Sequence, residues 1–369
     1  MSTIHSEVES VTQRLDSLTG LRWWAAFGVF AYHMANLAPL PHQNFLNVGY
    51  TGVSFFFVLS GFVLTWSARP STGICQFWWR RFARIWPSHF LALVPCLFVF
   101  YSFSTPPEGH WWVKEFSLPI IALSIILVQG FSTNPVVLFS GNPAAWTLSC
   151  EFFFYFLHPI VNPKRVMERR YSISLLCVAV ITGICMCLLR TKDIILPPPI
   201  ERIWEFLLGM ALAHLIRSGI RVHLPAWLVY PMLGGVVAFY WTINCHFHDS
   251  TSIYIHLLRV YTPVILAVTY ALAIAVCASA DLMGYASSLR HRLVVTAGEW
   301  SYVFYLVHAT VLYAVRSVTG VVQWSAWTLP VWVGVFAIAI VLSALVHGYV
   351  EKPLEQKLRR WGDHRFSSQ

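Results

Sequence analysis

Charged residues are scarce in this chain of 369 residues, where Asp, Glu, Lys and Arg together make up only 11%. Soluble domains carry about 25% charged residues, so the composition excludes an ordinary water-soluble protein. Apolar residues are correspondingly abundant, at 57%, and aromatic residues reach 16%. Because many apolar runs approach the roughly 20 residues that cross a bilayer, we predict an all-α polytopic membrane protein built as one helical bundle.

The motifs of soluble enzymes are also missing. The sequence has no GxGxxG or Walker loop after a strand, no HExxH zinc motif and no GxSxG nucleophile elbow. Its eight cysteines lie mostly inside apolar segments without CxxC spacing, so we expect buried hydrophobic side chains and no metal site. Residues 1–17 are polar and lack the apolar core of a signal peptide, and they are interpreted as a cytoplasmic N-terminal tail.

Apolar runs define the candidate membrane segments. They lie near residues 21–38, 48–67, 86–103, 118–131, 146–161, 173–189, 203–216, 226–243, 260–279, 299–317 and 328–350. Segments 118–131 and 146–161 together lie between an outside loop and an inside loop, so only one of them can cross. We therefore predict about ten transmembrane helices in a membrane domain of residues 18–351.

The net charge of +9 comes from basic residues in the short loops between these segments. The clusters are Arg69/Arg80/Arg81/Arg84, Lys164/Arg165/Arg169/Arg170, Arg217/Arg221, Arg290/Arg292 and Lys352/Lys357/Arg359/Arg360. The positive-inside rule places these clusters and both termini in the cytoplasm, with residues 352–369 as a C-terminal tail. The charge is thus read as a signal of membrane orientation, and no nucleic-acid partner is expected.

The first apolar segment contains two polar residues, Arg22 and His33. On a helix that rises 1.5 Å per residue they lie roughly 16 Å apart. Hydropathy places Arg22 at the cytoplasmic mouth and His33 deeper in the membrane. A snorkelling arginine and a core histidine are the simplest interpretation. A buried neutral imidazole is nevertheless a good proton acceptor when a second polar group orients it.

Other polar residues in apolar surroundings are candidates for the same site. Arg81 and Arg84 are three residues apart and share a helix face, so they could grip one phosphate or anchor the chain to lipid head groups. Glu151 lies in an aromatic run without a basic neighbour at i±4. Arg202 and Glu205 can form a local ion pair, and Tyr305 and His308 are helix neighbours.

At these residues the sequence resembles the acyltransferase 3 family of integral membrane O-acyltransferases. Seven short motifs follow in the family's order. They are Arg22-x10-His33 after Leu-Thr-Gly-Leu, the Gly-Val-x-x-Phe-Phe-Val-Leu-Ser-Gly-Phe run at residues 52–62, Arg81-x-x-Arg84, Trp146-x-Leu-x-x-Glu151, Glu205-Phe-Leu-Leu-Gly, Tyr305-Leu-x-His308 and Val-Glu351-Lys-Pro. The first and third motifs look similar to the actinobacterial branch that acylates macrolides and related antibiotics.

The resemblance implies transfer of an acetyl or short acyl group from acyl-CoA to a hydroxyl of a macrolide-like metabolite or a carbohydrate, without a metal, at the bacterial cytoplasmic membrane. It assigns Arg22, Arg81 and Arg84 to the acyl-CoA donor. His33 is then the general base, with Glu151 or His308 as its partner, although a covalent acyl-histidine is also open. Glu151 is predicted to be catalytic, and the predicted substrate-binding residues are Trp146, Arg202, Glu205, Tyr305 and His308.

Two other classes of function are compatible with buried polar residues. A transporter or channel could use the same His, Glu and Arg side chains as a proton or substrate path, but such proteins more often show internal repeats and broken helices, which are not seen here. A membrane scaffold would tolerate replacement of His33 and Glu151.

Overall fold

The computed structural model describes residues 13–69, 71–162 and 169–366. Its helices are α1 (Asp16–Met34), α2 (Gly52–Trp66), α3 (Ile74–Phe100), α4 (Leu118–Ile125), α5 (Pro135–Leu138), α6 (Trp146–Val161), α7 (Arg169–Arg190), α8 (Pro198–Glu201), α9 (Ile203–Arg217), α10 (Val229–Trp241), α11 (Ile253–Leu282), α12 (Arg292–Thr319), α13 (Thr328–Val346) and α14 (Lys352–Phe366). The two-residue strands β1 (Tyr101–Ser102) and β2 (Lys114–Glu115) pair in parallel and form the two-stranded sheet of the described residues. The predicted all-α class is confirmed.

Within the described ranges, seven helical runs are long and apolar enough to cross a membrane. They are Gln43–Trp66, Ile74–Phe100, Pro143–Val161, Arg170–Arg190, Ala226–His246, Ile253–Leu282 and Thr328–Phe366. Helices α1 and α12 are long but carry several polar residues, and α9 has only 15 residues. The count of ten crossings therefore stays a prediction.

Of the two segments that compete for one crossing, the structure favours 146–161. That stretch belongs to the 19-residue run Pro143–Val161. Segment 118–131 contains α4, which at eight residues is about 12 Å long and too short to span a bilayer, followed by a single 3-10 turn at Gln129–Phe131.

Close helix packing fixes the frame around the polar residues. Helix α1 packs along α12, and α2 packs along α9. Glycines permit the second contact: a Cβ on Gly61 would overlap the carbonyl oxygen of Phe206, and one on Gly209 would overlap that of Val58. Small residues at such crossings let two helix backbones approach in a membrane, where packing rather than the hydrophobic effect holds helices together.

Basic residues, among them Arg217 and Arg290, lie at one end of the bundle, and we call it the basic end. At the start of α1, Ser17 donates from its backbone N and its Oγ to the Asp281 carboxylate at 2.8 and 2.6 Å. Arg290 lies 3.8 Å from the same carboxylate. Arg217 at the end of α9 donates to the Thr65 carbonyl at the end of α2, at 2.9 Å. The start of α1 therefore lies at the basic end. The cluster at Lys164 and Arg165 is outside the described residues.

The predicted C-terminal tail is largely the helix α14, which docks against α3. Arg80 donates to Asp363 at 2.8 Å, and Arg84 donates to Glu355 at 3.0 Å. The ring of Trp79 lies 4.7 Å from that of Trp361. This docking brings carboxylates of the C-terminal region to the arginine-rich first half of α3. Whether either terminus lies in the cytoplasm stays a prediction.

Candidate active site

Five helices, α1, α2, α3, α6 and α12, enclose a cavity of about 160 Å³. A single water needs only about 10–15 Å³ on the same measure, so this is more than a packing defect. Charged and phenolic side chains line it beside apolar residues. They are Arg22, Arg81, Arg84, Glu151, Tyr155, Tyr302 and Tyr305. We call this space the arginine cavity, and it contains all three arginines that the sequence assigned to the donor.

Arg84 is held by carboxylates. Its Nη1 donates to Glu351 Oε1 at 2.6 Å and to Glu355 Oε2 at 3.0 Å. Glu351 is 1% exposed and also contacts His347 Nδ1, at 2.6 Å. The charge of Arg84 is therefore already balanced by the C-terminal region, although its guanidinium still faces the cavity.

Arg22 and Arg81 differ from Arg84 in their partners. The guanidinium of Arg81 lies over the rings of Phe77 and Tyr155, at 5.5 and 6.0 Å from their centroids, and its Nε has no hydrogen-bond partner in the described chain. Arg22 interacts electrostatically with Glu151 and Glu351, but the structure records no hydrogen bond or close ion pair between it and a described carboxylate. A cation at membrane depth is costly unless an anion meets it, and no described carboxylate holds either of these two side chains by a close contact.

Glu151 lies among these arginines. Its Oε2 accepts a hydrogen bond from Tyr155 Oη at 3.0 Å, as the i,i+4 spacing on α6 allows. Its carboxylate interacts electrostatically with Arg22, Arg84 and Arg81. Glu151 is thus placed to balance the charge of the arginine cavity.

His33 lies elsewhere, one residue before the C-terminal end of α1 and outside the residues that line the arginine cavity. Its ring centroid is 5.3 Å from that of His308 on α12, and we call these two residues the histidine pair. The sequence left Glu151 and His308 open as the neighbour of His33, and the structure places His308 beside it.

Tyr305 connects the two regions. It lines the arginine cavity, and its ring centroid lies 5.7 Å from that of His308, one helical turn further along α12. Its hydroxyl donates to the Ala144 carbonyl at 3.4 Å, which holds the side chain between α12 and the turn before α6. Tyr305 therefore contacts both the arginine cavity and the histidine pair.

The remaining predicted substrate-binding residues lie outside the lining of the arginine cavity. Arg202 Nη1 is 3.0 Å from Glu205 Oε1 and 3.5 Å from Ser54 Oγ, so the local ion pair is present. Glu205 is fully buried. Trp146 packs edge-on against Phe57, with centroids 6.4 Å apart. A role in substrate binding for these three residues stays a prediction.

Two tyrosines of the cavity lining, Tyr155 and Tyr302, were not among the predicted site residues. Tyr155 supplies the hydrogen bond to Glu151, and its position four residues later on the same helix was the available signal. Tyr302 lies beneath Arg84, whose guanidinium carbon is 5.4 Å from the ring centroid, and its hydroxyl donates to the Ile85 carbonyl at 3.1 Å. Among the described residues, no three His, Cys, Asp or Glu side chains cluster as a metal site would require.

Comparison with known proteins gives the family of the chain. The family model of an acyltransferase domain, that of the acyltransferase 3 family, matches residues 15–348. Acyltransferase MdmB of Streptomyces mycarofaciens is 31% identical over 94% of this chain and 93% of its own length. The putative peptidoglycan O-acetyltransferase YrhL of Bacillus subtilis is 26% identical over 92% of this chain and 55% of its own length.

A third relative, the peptidoglycan O-acetyltransferase OatA of Listeria monocytogenes, is 31% identical over 43% of this chain and 27% of its own length. No solved structure matches the chain. A family model that covers nearly the whole sequence, together with a relative aligned almost end to end, shows the family of the chain. The chain belongs to the acyltransferase 3 family.

Proposed function

We propose that this chain transfers an acetyl or other short acyl group from acyl-CoA to a hydroxyl of an acceptor. The observation that carries the proposal is the convergence of Arg22, Arg81, Arg84 and Glu151 on one cavity. Coenzyme A carries several phosphate charges, and guanidinium groups bind phosphate oxygens through forked, charge-assisted hydrogen bonds. Arg22 and Arg81, which form no hydrogen bond or close ion pair with a described carboxylate, are the best placed for this role.

The location of the cavity agrees with a donor that arrives from the cytoplasm. Arg81 and Arg84 lie in the first half of α3, and Arg22 lies six residues after the start of α1, close to the basic end. We propose that the basic end faces the cytoplasm of a bacterial cell, where acyl-CoA is made and where the positive-inside rule places basic loops. The acyl group and adjoining chain would then enter toward Tyr305, while the phosphates stay near the arginines.

The proposed reaction is direct transfer. His33 takes the proton of the acceptor hydroxyl, and the oxygen attacks the thioester carbonyl carbon. The C–S bond then breaks, the ester is released, and the coenzyme A thiolate takes the proton from the His33 imidazolium. In the covalent variant His33 itself attacks the thioester, and the acceptor hydroxyl resolves an acyl-imidazole. We keep Glu151 as a site residue that balances the arginines and holds Tyr155.

The first acceptor to test is a macrolide-like secondary metabolite. This chain and the Streptomyces acyltransferase align over almost their full lengths. In contrast, the chain spans only 27% and 55% of the peptidoglycan O-acetyltransferases that it matches. A carbohydrate acceptor is the second choice, since two relatives carry peptidoglycan in their names.

The test uses the purified chain in lipid nanodiscs with radiolabelled acetyl-CoA and two acceptors, a hydroxylated macrolide and a soluble muramyl glycan. We expect a labelled ester and one equivalent of free coenzyme A thiol for each ester formed. A chain that releases no thiol with either acceptor, but moves protons or labelled solute across liposome membranes, would be a transporter instead.

A further inference from the structure

His308 has a fixed hydrogen-bonding role on one side of its ring. The side chain is 1% exposed. Its Nδ1 lies 2.8 Å from the Tyr305 carbonyl oxygen and 3.3 Å from the Phe304 carbonyl oxygen. Carbonyl oxygens only accept hydrogen bonds, so Nδ1 must carry the proton when it bonds to them. In the neutral ring Nε2 is then an acceptor with a free lone pair.

That lone pair has no partner from the described part of the chain. Nε2 of His308 is buried and makes no hydrogen bond there. An unsatisfied buried acceptor destabilises the fold, so natural structures usually pair such groups or use them. Nε2 is also the ring nitrogen further from the α12 backbone, because Nδ1 bonds to that backbone.

His33 is the titratable group next to this acceptor. The two ring centroids are 5.3 Å apart and the ring planes are inclined by 42°. This separation allows a direct hydrogen bond after a small side-chain rotation, or one bridging water. The phenol rings of Tyr32 and Tyr305 are the other titratable groups in ring contact with the pair. Neither imidazole has a recorded hydrogen bond or ion pair with a described carboxylate or lysine.

We propose that His308 is the positioning residue for His33, an inference that rests on the proposed O-acyltransferase function. Nε2 of His308 accepts a hydrogen bond from one N–H of His33, directly or through one water. The other nitrogen of His33 then presents its lone pair to the acceptor hydroxyl. The arrangement has the logic of a hydrolytic triad, in which a buried acceptor holds the catalytic histidine in one tautomer.

The proton balance of the reaction is unchanged by this role. His33 gains the hydroxyl proton on its exposed nitrogen and keeps the other proton in the hydrogen bond to His308. Nε2 of His308 stabilises the positive charge that forms on His33, and Nδ1–H of His308 stays on the Tyr305 carbonyl. When the coenzyme A thiolate leaves, it takes the proton from the exposed nitrogen, so His308 neither gains nor loses a proton.

Two substitutions separate this role from packing. In His308→Asn the amide lies near the position of Nδ1, and the acceptor at Nε2 is lost. In His308→Gln the side-chain oxygen reaches the position of Nε2, and an acceptor is kept. We expect His308→Asn to lower kcat by about 10²- to 10³-fold with the donor KM unchanged, as for loss of a transition-state interaction. The kcat of His308→Gln should be at least tenfold higher than that of His308→Asn.

The pH profile gives a second readout. Without the acceptor at position 308 the protonated form of His33 is less stable, so the acidic limb of the kcat/KM profile should move to lower pH in His308→Asn. A kcat within threefold of wild type and an unmoved profile would overturn the proposal. Equal losses in the Asn and Gln variants, each with a lowered thermal unfolding midpoint, would also overturn it and leave a structural role.

A spectroscopic test does not depend on turnover. With ¹⁵N-labelled histidine rings, the His308 resonances should report the Nδ1–H tautomer, and the His33 resonances should shift in His308→Asn relative to His308→Gln. Unshifted His33 resonances would overturn the proposal. If the wild-type chain releases no coenzyme A with any acceptor but these shifts are seen, the proposed function fails while the contact between the histidines stands.

Discussion

The arginine cavity and the histidine pair share helices α1 and α12 but have opposite physical character. Arg22 and His33 both lie on α1, and Tyr302 and His308 both lie on α12. The arginine cavity is rich in charge, with three guanidinium groups around one lining carboxylate. The histidine pair consists of two imidazoles in contact with aromatic rings.

This difference indicates that the Arg22 end of α1 serves donor binding and that its His33 end serves proton transfer. Fixed cations suit the binding of a phosphate-bearing donor, because guanidinium groups stay charged at any physiological pH. Imidazoles suit proton transfer, because they take up and release a proton near neutral pH. The account therefore predicts that substitutions in the arginine cavity change the affinity for the donor. Substitutions in the histidine pair should change kcat.

The largest effect should come from the histidine pair. His33→Gln keeps a polar side chain of similar size but removes the general base, so we expect kcat to fall by about 10³-fold or more. The donor KM should stay within twofold, measured with labelled acetyl-CoA in nanodiscs. A variant that transfers acyl groups at the wild-type rate would remove His33 from the chemistry.

Arg81→Ala should give the next largest effect, on the donor KM instead of on kcat. Loss of a charge-assisted hydrogen bond to a phosphate corresponds to about 10- to 100-fold in donor affinity, so the donor KM should rise by that factor while the acceptor KM is unchanged. Arg80→Ala is the matched control, since Arg80 is the preceding residue but pairs with Asp363 outside the cavity lining. An equal rise of the donor KM in both variants would mean that Arg81 anchors the chain to lipid head groups and does not bind the donor.

The smallest effect concerns the carboxylates that compete for Arg84. Glu355→Gln removes one of its two anionic partners and leaves Glu351 in place, so Arg84 becomes more available to the donor. We expect the donor KM to fall by about two- to fivefold, the range of a weak, partly exposed ion pair. Asp363→Asn on the same helix is the control, because its partner is Arg80. A raised KM in Glu355→Gln would mean that the carboxylate positions Arg84 for binding.

Helix positions were largely predictable from hydropathy, because a membrane imposes both a length and a composition on each crossing. Segment 203–216 agrees with α9 (Ile203–Arg217), and segment 328–350 begins at the same residue as α13. Helix ends were less predictable. The first segment was expected at residues 21–38, whereas α1 begins at Asp16, where Asp281 from α11 accepts hydrogen bonds from Ser17. A cap supplied by a distant helix leaves no local signal.

Part of the candidate site could be predicted residue by residue, but its arrangement could not. Short motifs drew attention to Arg22, Arg81, Arg84 and Glu151, which the structure brings to one cavity. The contact between His33 and His308 depends on the packing of α1 against α12, helices separated by most of the chain, so spacing could not show it. The docking of α14 was missed for a similar reason, since the sequence presents that region only as a basic tail.

The central claim is that the donor phosphates bind at the Arg22 end of α1 and that the chemistry takes place at its His33 end. Its most direct test is a cryo-EM map of the chain in nanodiscs with a thioether analogue of acetyl-CoA, which cannot transfer its acyl group. The account predicts phosphate density within hydrogen-bond distance of Arg22 and Arg81, with the acyl end directed past Tyr305 toward the histidine pair. Phosphate density at the opposite end of α1, or an acyl end that points away from His33, would contradict it.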